Sequence, residues 1–238
     1  MNIKVGCCGF PLAKEKYYQH LKVVEIQQTF YQPPQVKTAK RWKEEAPRDL
    51  EFTLKAWQLI THKPSSPTYR HLKERISSRR QKYLGYFQPT DEVFAAWEKI
   101  NEIAKTLNTK TIVFQCPASF TPIKLHKENF KKFFSTIERD HYLIVWEPRG
   151  SWQQEEIDEL CEELHLIACL NPFLTHSTAR TLGYFRLHGK GGYRYQYNKK
   201  DLMHLKDLSG NFKHAYFMFN NIYMFEDAKR FLKLLKDG

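Results

Sequence analysis

The chain has 238 residues, a formal net charge of +12 and 42% hydrophobic residues, with 17 Phe and 13 Tyr among them. This apolar content excludes a largely disordered protein, and the length fits one large domain such as an α/β barrel, or two small ones. No apolar run approaches the length of a membrane span, and the N-terminus lacks the layout of a signal peptide, so we expect a soluble cytoplasmic protein without a membrane partner. The positive charge favours anionic partners such as nucleic acid or phosphorylated metabolites.

The cysteines indicate reduced thiols rather than disulfides or a structural zinc site. They are five in number, which is odd, and they lie largely in apolar runs. The adjacent pair Cys7 and Cys8 is not a CxxC motif, and no second Cys/His pair stands at zinc-site spacing.

Short apolar runs rich in Ile, Val and aromatic residues predict strands along the whole chain. Several of them end abruptly in a charged or amide residue, as the run before Glu147 and Arg149 does. The predicted strands are Ile3–Cys8, Val23–Ile26, Glu51–Leu54, Thr111–Phe114, Tyr142–Trp146, Leu166–Leu170, Tyr184–Leu187 and Ala215–Phe219.

Helical patterns separate several of these strands. The segment Asp91–Leu107 repeats apolar residues on one face and opens with Pro89-Thr90 and two acids. Further patterns cover Phe130–Ile137, Ile157–Leu164 and Phe225–Leu235. Strands that alternate with helices predict an α/β fold with a parallel sheet. Eight candidate strands favour a TIM-type (β/α)8 barrel over an open doubly wound sheet, as a single domain over residues 1–238.

Two segments depart from a regular barrel. Only about a dozen residues separate Leu170 from Tyr184, too few for a good crossover helix, so we expect irregularity around strands 6 and 7. After strand 3, a long segment at about residues 56–90 predicts a basic helical insertion. Within it, Lys63–Lys82 holds seven Lys/Arg against one Glu, a net +6. The aromatic residues that flank these charges are Tyr69, Tyr83, Tyr86 and Phe87. Nucleic acid is a candidate partner for this segment, whose Tyr residues could stack on unpaired bases.

Polar side chains at the ends of the predicted strands predict a pocket. In a (β/α)8 barrel the carboxyl ends of the strands and the loops after them form the active rim. Parallel strands place such side chains around one concave surface, where they can share a small anionic or phosphorylated ligand. The strand-end candidates are Glu25, Lys55, Gln115, Glu147, Arg149, Arg186, His188, Asn220 and Asn221.

The two carboxylates have two open interpretations. Glu25 alternates with Val24 and Ile26, so its side chain should point to the barrel side. Glu25 and Glu147 could form an acid/base or nucleophile/acid pair. Each could instead pair with a neighbouring Arg or Lys and hold the rim together. The guanidinium groups of the rim suit anions, because they bind phosphate or carboxylate through two parallel hydrogen bonds.

His188 is followed by a glycine-rich turn, Gly189 to Gly192, which suits phosphate binding after strand 7 of this fold. Lys190 and Tyr193 could close over the ligand. The spacing matches neither a P-loop nor GxGxxG. His62 is a second candidate imidazole at the mouth of the barrel.

The cofactor question stays open. Two His and two Glu would suffice for a divalent metal, but no HxH or HExxH spacing supports one, so we assign no metal ligand. Asn220 and Asn221 have two readings, since their amides could bind the ligand or cap the final helix. The sequence does not indicate an oligomeric state.

At these strand ends the chain resembles the domain-of-unknown-function 72 (YecE-like) family, nearly over its whole length and in order. The stretches that carry the resemblance are GCCGF, VEIQQTFYQPP, LKAWQLITH, VFQCPASF, WEPRGSW, YFRLHGKGGYRY and FMFNN. The resemblance implies an eightfold α/β barrel whose motifs surround a pocket at one end. Besides the strand-end candidates it implies pocket positions at Thr29, Phe30, Tyr31, Thr61, His62 and Tyr193.

Three positions depart from the family pattern. Gln27 replaces the usual Asn and is a longer amide, Phe10 replaces the usual Trp, and Pro148 replaces an aromatic residue before Arg149. The family has no established activity, so the resemblance implies a fold rather than a reaction.

Three functions follow as hypotheses. The first is a hydrolase-like, phosphodiesterase-like enzyme on a phosphate-bearing substrate or nucleic acid, with Glu25 or Glu147 as base and His188 or His62 as acid or metal ligand. The second is a non-catalytic protein that binds a small anion or nucleic acid. The third is a glycosidase-like hydrolase, which would need its carboxyl groups about 5–5.5 Å or 6.5–9.5 Å apart.

Overall fold

The computed structural model describes residues 1–73, 75–139, 141–169, 171–173 and 180–237. These residues form eight strands in one sheet. Numbered along the chain, the strands are β1 (Asn2–Cys8), β2 (Val23–Ile26), β3 (Glu51–Lys55), β4 (Thr111–Gln115), β5 (Leu143–Glu147), β6 (Ile167–Ala168), β7 (Arg180–Leu187) and β8 (Phe212–Phe219).

The strand order is β6-β5-β4-β3-β2-β1-β8-β7. The pairs β1–β2, β1–β8, β3–β4, β4–β5, β5–β6 and β7–β8 are parallel. Directly after β6, a parallel bridge joins Cys169 to Tyr184 of β7. Parallel strands in this order, alternating with helices, confirm the predicted α/β fold, an irregular (β/α)8 barrel of TIM type.

Helices lie between the strands and include those that the sequence predicts. The basic insertion after β3 is helical, as predicted, and also contains a 3₁₀ helix at Pro67–His71. The α-helices are α1 (Lys14–Tyr18), α2 (Gln28–Tyr31), α3 (Val36–Glu45), α4 (Gln58–Thr61), α5 (Ser78–Gln81), α6 (Asp91–Leu107), α7 (Lys124–Thr136), α8 (Gln154–Glu163), α9 (Lys199–Ser209) and α10 (Met224–Lys236).

Helix α6 has the predicted bounds because its sequence marks both ends. The Thr90 side chain accepts a hydrogen bond from the Val93 amide, and two acids follow in the first turn. At the other end Asn108 adopts the left-handed conformation, with φ of 52°, that commonly terminates helices. None of the helices within the described ranges is both long and apolar enough to cross a lipid bilayer.

Only β2 has its predicted bounds at both ends: β1, β3 and β4 are one residue longer than predicted, β7 and β8 begin four and three residues earlier, and β5 and β6 differ at both ends. Strand β5 extends to Glu147 because Gln115 pairs with it in register and the Cys116 amide donates to its carbonyl. The strand therefore includes the charged residue Glu147 instead of ending before it. Strand β6 contains only Ile167–Ala168, and Leu170, the predicted end of this strand, lies outside the described residues. So do residues 174–179, which form much of the short connection to β7.

The chain divides into two compact units. Unit 1 comprises Met1–Glu25, Ala46–Phe52 and Cys169–Gly238, and unit 2 comprises Ile26–Glu45 and Thr53–Ala168.

In unit 1 the two faces of β7 and β8 have different chemistry. Phe185 of β7 stacks on Phe217 of β8 with ring centroids 5.0 Å apart, and Phe217 contacts Phe231 of α10 at 5.0 Å. The helices therefore cover an apolar face, and the alternate residues of the same strands point to the opposite face.

In unit 2 the core is a cluster of aromatic rings. Phe87 is fully buried at its centre, with ring centroids 4.9 Å from Phe130 and 5.4 Å from Phe133. Burial of such rings contributes much of the stabilisation of a core.

The segment that delivers Phe87 to this core also anchors the basic insertion. The Gly85, Tyr86 and Phe87 amides donate to the last carbonyls of α4, and all three residues have positive φ, at 78°, 56° and 53°. Positive φ is rare outside glycine, so packing and these hydrogen bonds must compensate the backbone strain. A Cβ atom on Gly85 would lie 2.2 Å from the His62 carbonyl oxygen, so only glycine fits there.

Candidate functional site

Two buried charges of unit 1, those of Glu25 and Arg186, meet at the end of β2. Tyr184 and Arg186 alternate on β7, so both side chains lie on the face opposite the helices. Arg186 Nη2 donates to Oε1 of Glu25 at 3.0 Å, and the Tyr184 hydroxyl donates to Oε2 at 2.7 Å. The Arg186 and Glu25 side chains are 1% and 0% exposed. Of the two interpretations of Glu25, the structure shows the ion pair directly.

Burying such an ion pair has a large unfavourable free energy of desolvation. The desolvation of two charges offsets most of their attraction, and apolar replacements of a buried pair are often no less stable. Buried charge partners with polar neighbours are therefore candidates for a functional role. Cys8 lies beside them, and burial, together with the charge of Glu25, raises the pKa of its thiol, so that Cys8 stays protonated.

The polar face continues toward the amino ends of the strands. The Tyr216 hydroxyl donates to Glu51 at 2.5 Å, and Lys4 forms an ion pair with the same carboxylate. The Tyr216 ring stacks on Tyr184 with centroids 5.2 Å apart. A chain of aromatic and charged groups therefore connects Glu51 to Glu25 through unit 1.

His188 follows β7 and continues the alternation of Tyr184 and Arg186. Asn220, just after β8, places its Nδ2 3.1 Å from His188 Nδ1. An amide nitrogen can only donate, so Nδ1 accepts, and a neutral His188 carries its proton on Nε2. The backbone N–H of Asn220 also donates to the Leu187 carbonyl at 2.9 Å, which holds the ends of the two strands together.

Asn221 is buried and contacts the final helix, but its side chain does not cap this helix, whose N-cap residue is Tyr223 and has no side-chain capping hydrogen bond. Its Nδ2 donates to Asp227 in the first turn of α10 at 2.8 Å and to the Tyr195 carbonyl at 2.7 Å. The Met224 amide donates to the Asn221 carbonyl. Asn221 therefore fixes the start of α10 and the loop before it.

The glycine turn after His188 is ordered by backbone geometry. Gly189 and Gly192 have φ of 87° and 103°, and a Cβ atom on Gly189 would lie 2.2 Å from the Gly192 carbonyl oxygen. The Gly189 amide donates to the Tyr197 hydroxyl at 2.8 Å. The turn thus brings bare backbone close to His188.

Lys190 does not extend over this turn. Its Nζ lies 3.0 Å from Oδ1 of Asp201, the residue that also closes the capping box of α9. Asp201 accepts from the Tyr195 hydroxyl as well, at 2.5 Å. Tyr193, the other residue predicted to cover a ligand, is 55% exposed and remains available for that role.

Lys55 lies at the end of β3 in unit 2 and is buried, with 5% exposure. Its Nζ is 3.6 Å from the Phe30 ring centroid, a cation–π contact. The Thr29 hydroxyl donates to the Lys55 carbonyl at 2.6 Å and so fixes α2 against the strand. This explains why Thr29, Phe30 and Lys55 lie together.

His62 belongs to the same group. Its Nδ1 is 2.7 Å from the Thr61 hydroxyl, and its ring contacts Phe30 edge-on at 5.0 Å. Burial, with the charge of Lys55 as a second cause, lowers the pKa of His62 to about 3. His62 is therefore neutral near pH 7 and suits hydrogen bonding or ligation rather than charge.

Glu147 and Arg149 form the ion pair left open as an alternative for this carboxylate. Arg149 Nη2 and Nε lie 2.5 Å and 3.0 Å from Oε1 of Glu147. The Glu147 side chain is 6% exposed and the Arg149 side chain 40% exposed. One edge of this guanidinium therefore binds the carboxylate while part of it still faces solvent.

Tyr31 and Gln115 lie at the ends of α2 and β4. The Tyr31 carbonyl accepts from Gln58 Nε2 at 3.0 Å, and its ring, 37% exposed, contacts His71 at 5.1 Å. Gln115 is half-buried and pairs in register with Glu147.

Among the described residues no three His, Cys, Asp or Glu side chains form a group that could hold a metal ion. All five cysteines are buried, and none of them forms a disulfide within the described part of the chain.

Tyr184 was not among the predicted site residues, and Cys8 was recognised as the end of a strand but given no role in the site. The signal for Tyr184 is its spacing, because residues 184, 186 and 188 alternate on one strand and Tyr184 therefore shares a face with two candidates. Cys8 follows the same rule at the end of β1.

The insertion presents an exposed basic surface. Arg70, Lys73, Arg75, Arg79 and Lys82 are exposed, and Glu74 lies outside the described residues. Among the Tyr residues predicted to stack, Tyr83 is 39% exposed. The neighbouring Phe87 is fully buried. The Tyr69 hydroxyl donates to the His62 carbonyl at 2.8 Å, and the Tyr86 hydroxyl donates to Ser119 at 2.7 Å.

Three solved structures have the same fold as this chain. A DUF72 family protein from Thermotoga maritima MSB8 has a TM-score of 0.73 at 22% identity, covering 99% of this chain and 100% of that one. One from Enterococcus faecalis V583 has a TM-score of 0.72 at 19% identity, with 99% and 98% coverage. A second structure of the Enterococcus protein has a TM-score of 0.71 at 17% identity, with 99% and 94% coverage. No curated protein sequence matches the chain.

The family profile described as "Protein of unknown function DUF72" matches residues 13–238. This range includes most of the stretches on which the sequence resemblance rests, from the end of β2 to the residues after β8. The chain therefore belongs to the DUF72 family.

Proposed function

We propose that the chain is a hydrolase-like enzyme that acts on a small phosphate-bearing substrate at the carboxyl ends of β7 and β8. The observation that supports this proposal most is the pairing of Asn220 with Nδ1 of His188 at 3.1 Å. It makes Nδ1 of a neutral imidazole the acceptor and Nε2–H the donor, so that Nε2–H can stabilise negative charge on a phosphate oxygen or a leaving group by hydrogen bonding.

The glycine turn supports an anionic substrate. Gly189 and Gly192 let the backbone turn sharply beside His188, with no side chain at either position. Turns of this kind bind phosphate through backbone amides in many folds, and the loop after strand 7 is a recurrent phosphate site in (β/α)8 barrels. The net charge of +12 raises the local concentration of anions.

Glu25 is the candidate general base and forms an ion pair with Arg186. To accept a proton from water it must release the hydroxyl of Tyr184, which occupies Oε2. Within unit 1 both carboxylate oxygens already have donors. This occupancy favours the second candidate function, a non-catalytic protein that binds the same anion and in which Glu25 only positions Arg186 and Tyr184.

A substrate panel tests the proposal. The purified chain is assayed with p-nitrophenyl phosphate, bis(p-nitrophenyl) phosphate and p-nitrophenyl glucosides, each with and without Mg²⁺ or Mn²⁺. We expect turnover of a phosphate ester, and His188→Gln should lower kcat by about 10²–10⁴-fold. His214→Gln is the matched control, because His214 is exposed near the start of β8 and should leave kcat unchanged.

The same proteins separate the alternatives. If no ester is cleaved but inorganic phosphate binds to the wild type and more weakly to His188→Gln, the chain is a binding protein. Turnover of glucosides alone favours the glycosidase hypothesis, which depends on Glu25 and Glu147. If His188→Gln changes neither turnover nor phosphate binding, the site proposed at β7 and β8 is wrong.

We also propose the basic insertion as a nucleic-acid surface. Its exposed Lys and Arg side chains suit a phosphate backbone, and Tyr83 offers one exposed ring for stacking. The salt dependence of binding, described in the Discussion, tests this partner independently of hydrolysis.

A further inference from the structure

Unit 2 contains a cavity of about 330 Å³ that includes none of the strand-end candidates. Its walls come from α4, the basic insertion and α6, with Gln32 and Pro33 on one side. A volume of this size lies within the range of small-molecule sites.

Most of the lining is apolar. Leu59, Leu72, Leu84 and Ala96 line the cavity together with the indole of Trp57. Leu84 and Ala96 are each 2% exposed, so they form a buried apolar wall of the cavity. This surface suits an aromatic or branched aliphatic group.

Gln32 gives the lining an uncharged hydrogen-bond donor. Its Oε1 already accepts from the Lys73 amide at 3.2 Å, so the polar group that it offers to the cavity is its NH₂. Trp57 lines the cavity with the apolar atoms of its ring, because its Nε1–H is shielded even from a molecule the size of water.

The charged lining favours an anion as well. Arg80 and Lys99 contribute two positive charges, against one negative charge on Glu92. Arg80 Nε lies 3.9 Å from Glu92, a loose contact, and Lys99 pairs at 2.7 Å with Glu102, which does not line the cavity. An acceptor with negative charge would complement both the donors and the net charge.

We propose that this cavity binds a small carboxylate with an apolar body, the body lying on Leu59, Leu84 and Ala96 and the carboxylate facing the donors. The site is separate from the proposed hydrolytic site, so either proposal can fail without the other.

The test uses 4-phenylbutyrate and its neutral analogue 4-phenylbutan-1-ol as probes. The chain has five Trp residues, so ¹H–¹⁵N spectra resolve up to five indole signals, and the signal lost in Trp57→Phe identifies Trp57. We expect phenylbutyrate to shift this signal in a saturable manner, because the Trp57 ring lines the cavity. Absence of a concentration-dependent shift overturns the proposal.

A filling variant and its control locate the binding. Ala95 is exposed on α6 and lines the cavity, so Ala95→Phe should occupy the space without disturbing the core and should abolish the shift. Glu98 is exposed on the same helix and does not line the cavity, so Glu98→Phe should bind within threefold of the wild type. Melting temperatures check that both variants fold. Undiminished binding by Ala95→Phe means that the probe binds elsewhere and overturns the proposal.

The neutral probe tests the carboxylate. We expect phenylbutanol to bind at least fivefold more weakly than phenylbutyrate, and Arg80→Gln to remove most of that difference. Equal affinity for the two probes overturns the anionic part of the inference.

Discussion

In unit 1, Arg186 Nη2 donates to Oε1 of Glu25 at 3.0 Å, although both side chains are almost wholly shielded from water. These residues are 161 positions apart in the sequence, on β7 and β2. Their contact fixes the charge pattern of one face of the sheet, and the Tyr184 hydroxyl adds a second donor to the same carboxylate.

Substitutions at this pair should affect stability asymmetrically. Glu25→Leu leaves the buried Arg186 guanidinium without this carboxylate and should lower the free energy of unfolding by about 3–5 kcal/mol. Glu25→Leu combined with Arg186→Met should lie within about 1–2 kcal/mol of the wild type, because no buried charge of the pair remains. Urea denaturation measures both values. Equal losses in the single and double variants would show that the pair is not coupled.

An exposed ion pair gives the control for this cycle. Lys229 and Glu226 lie 3.6 Å apart on α10, with side chains 36% and 59% exposed. Glu226→Leu should change the free energy of unfolding by no more than about 0.5 kcal/mol.

Acid should destabilise the protein through His62. Its pKa in the folded protein is lowered to about 3, mainly by burial, whereas the unfolded chain has the ordinary value near 6.5. The unfolded state therefore binds the proton first, so the stabilisation from neutral His62 is complete above pH 6.5 and declines as the pH falls toward 3. Between pH 6 and pH 4 we expect a loss of about 2–3 kcal/mol from this residue.

The pH dependence of urea denaturation measures this loss in the wild type and in His62→Gln. The variant should show a shallower decline over the same pH window, and His20→Gln, at an exposed position, should follow the wild type. Parallel profiles for the wild type and His62→Gln would contradict the assignment.

Binding of single-stranded DNA should depend on the insertion and on salt. Replacing Lys73, Arg75 and Arg79 by Gln removes three exposed charges. The negative slope of log K against log salt should become shallower by about 2. Fluorescence anisotropy with a labelled oligonucleotide measures the slope. The control replaces Lys37, Lys40 and Arg41 of α3, which removes the same charge from another exposed surface and should keep the slope. A wild-type affinity that is insensitive to salt would exclude nucleic acid as the partner.

Two glycines with positive φ should tolerate alanine differently. Gly85 has φ of 78°, and an added Cβ would meet the His62 carbonyl at 2.2 Å, so Gly85→Ala should cost more than about 2 kcal/mol. Gly192 has φ of 103° but nothing within 4 Å of an added Cβ, so Gly192→Ala should cost only about 1 kcal/mol. Thermal unfolding compares the two. Similar losses would mean that conformation alone, and not the close approach to His62, decides the effect.

The sequence predicted the fold because each strand is a separate apolar run and the main helices repeat apolar residues at helical spacing. Helix α6 was predicted at both ends, since its caps are local signals. Helix α3 was not singled out, and the reason is physical. Its sequence, VKTAKRWKEE, contains few apolar residues, and Ala39 is its only residue in the buried class.

The candidate site was predictable only where strand periodicity controls it. The alternation of Val24, Glu25 and Ile26 gave the face of Glu25, because successive strand residues point in opposite directions. The pairing of Lys190 with Asp201 depends on how the glycine turn folds back, which no local pattern encodes. The burial of Phe87 was missed for a similar reason, since it requires positive φ at two residues that are not glycine.

The two faces of β7 also constrain how that strand can pair. Tyr184 and Arg186 point one way and Phe185 the other, toward Phe217 and the helices. A slip of one residue along β8 would press a guanidinium into phenyl rings and leave the Glu25 carboxylate facing a phenylalanine. The same charges that make this strand costly to bury therefore specify a single register, and a mispaired intermediate would be penalised before the chain is fully folded.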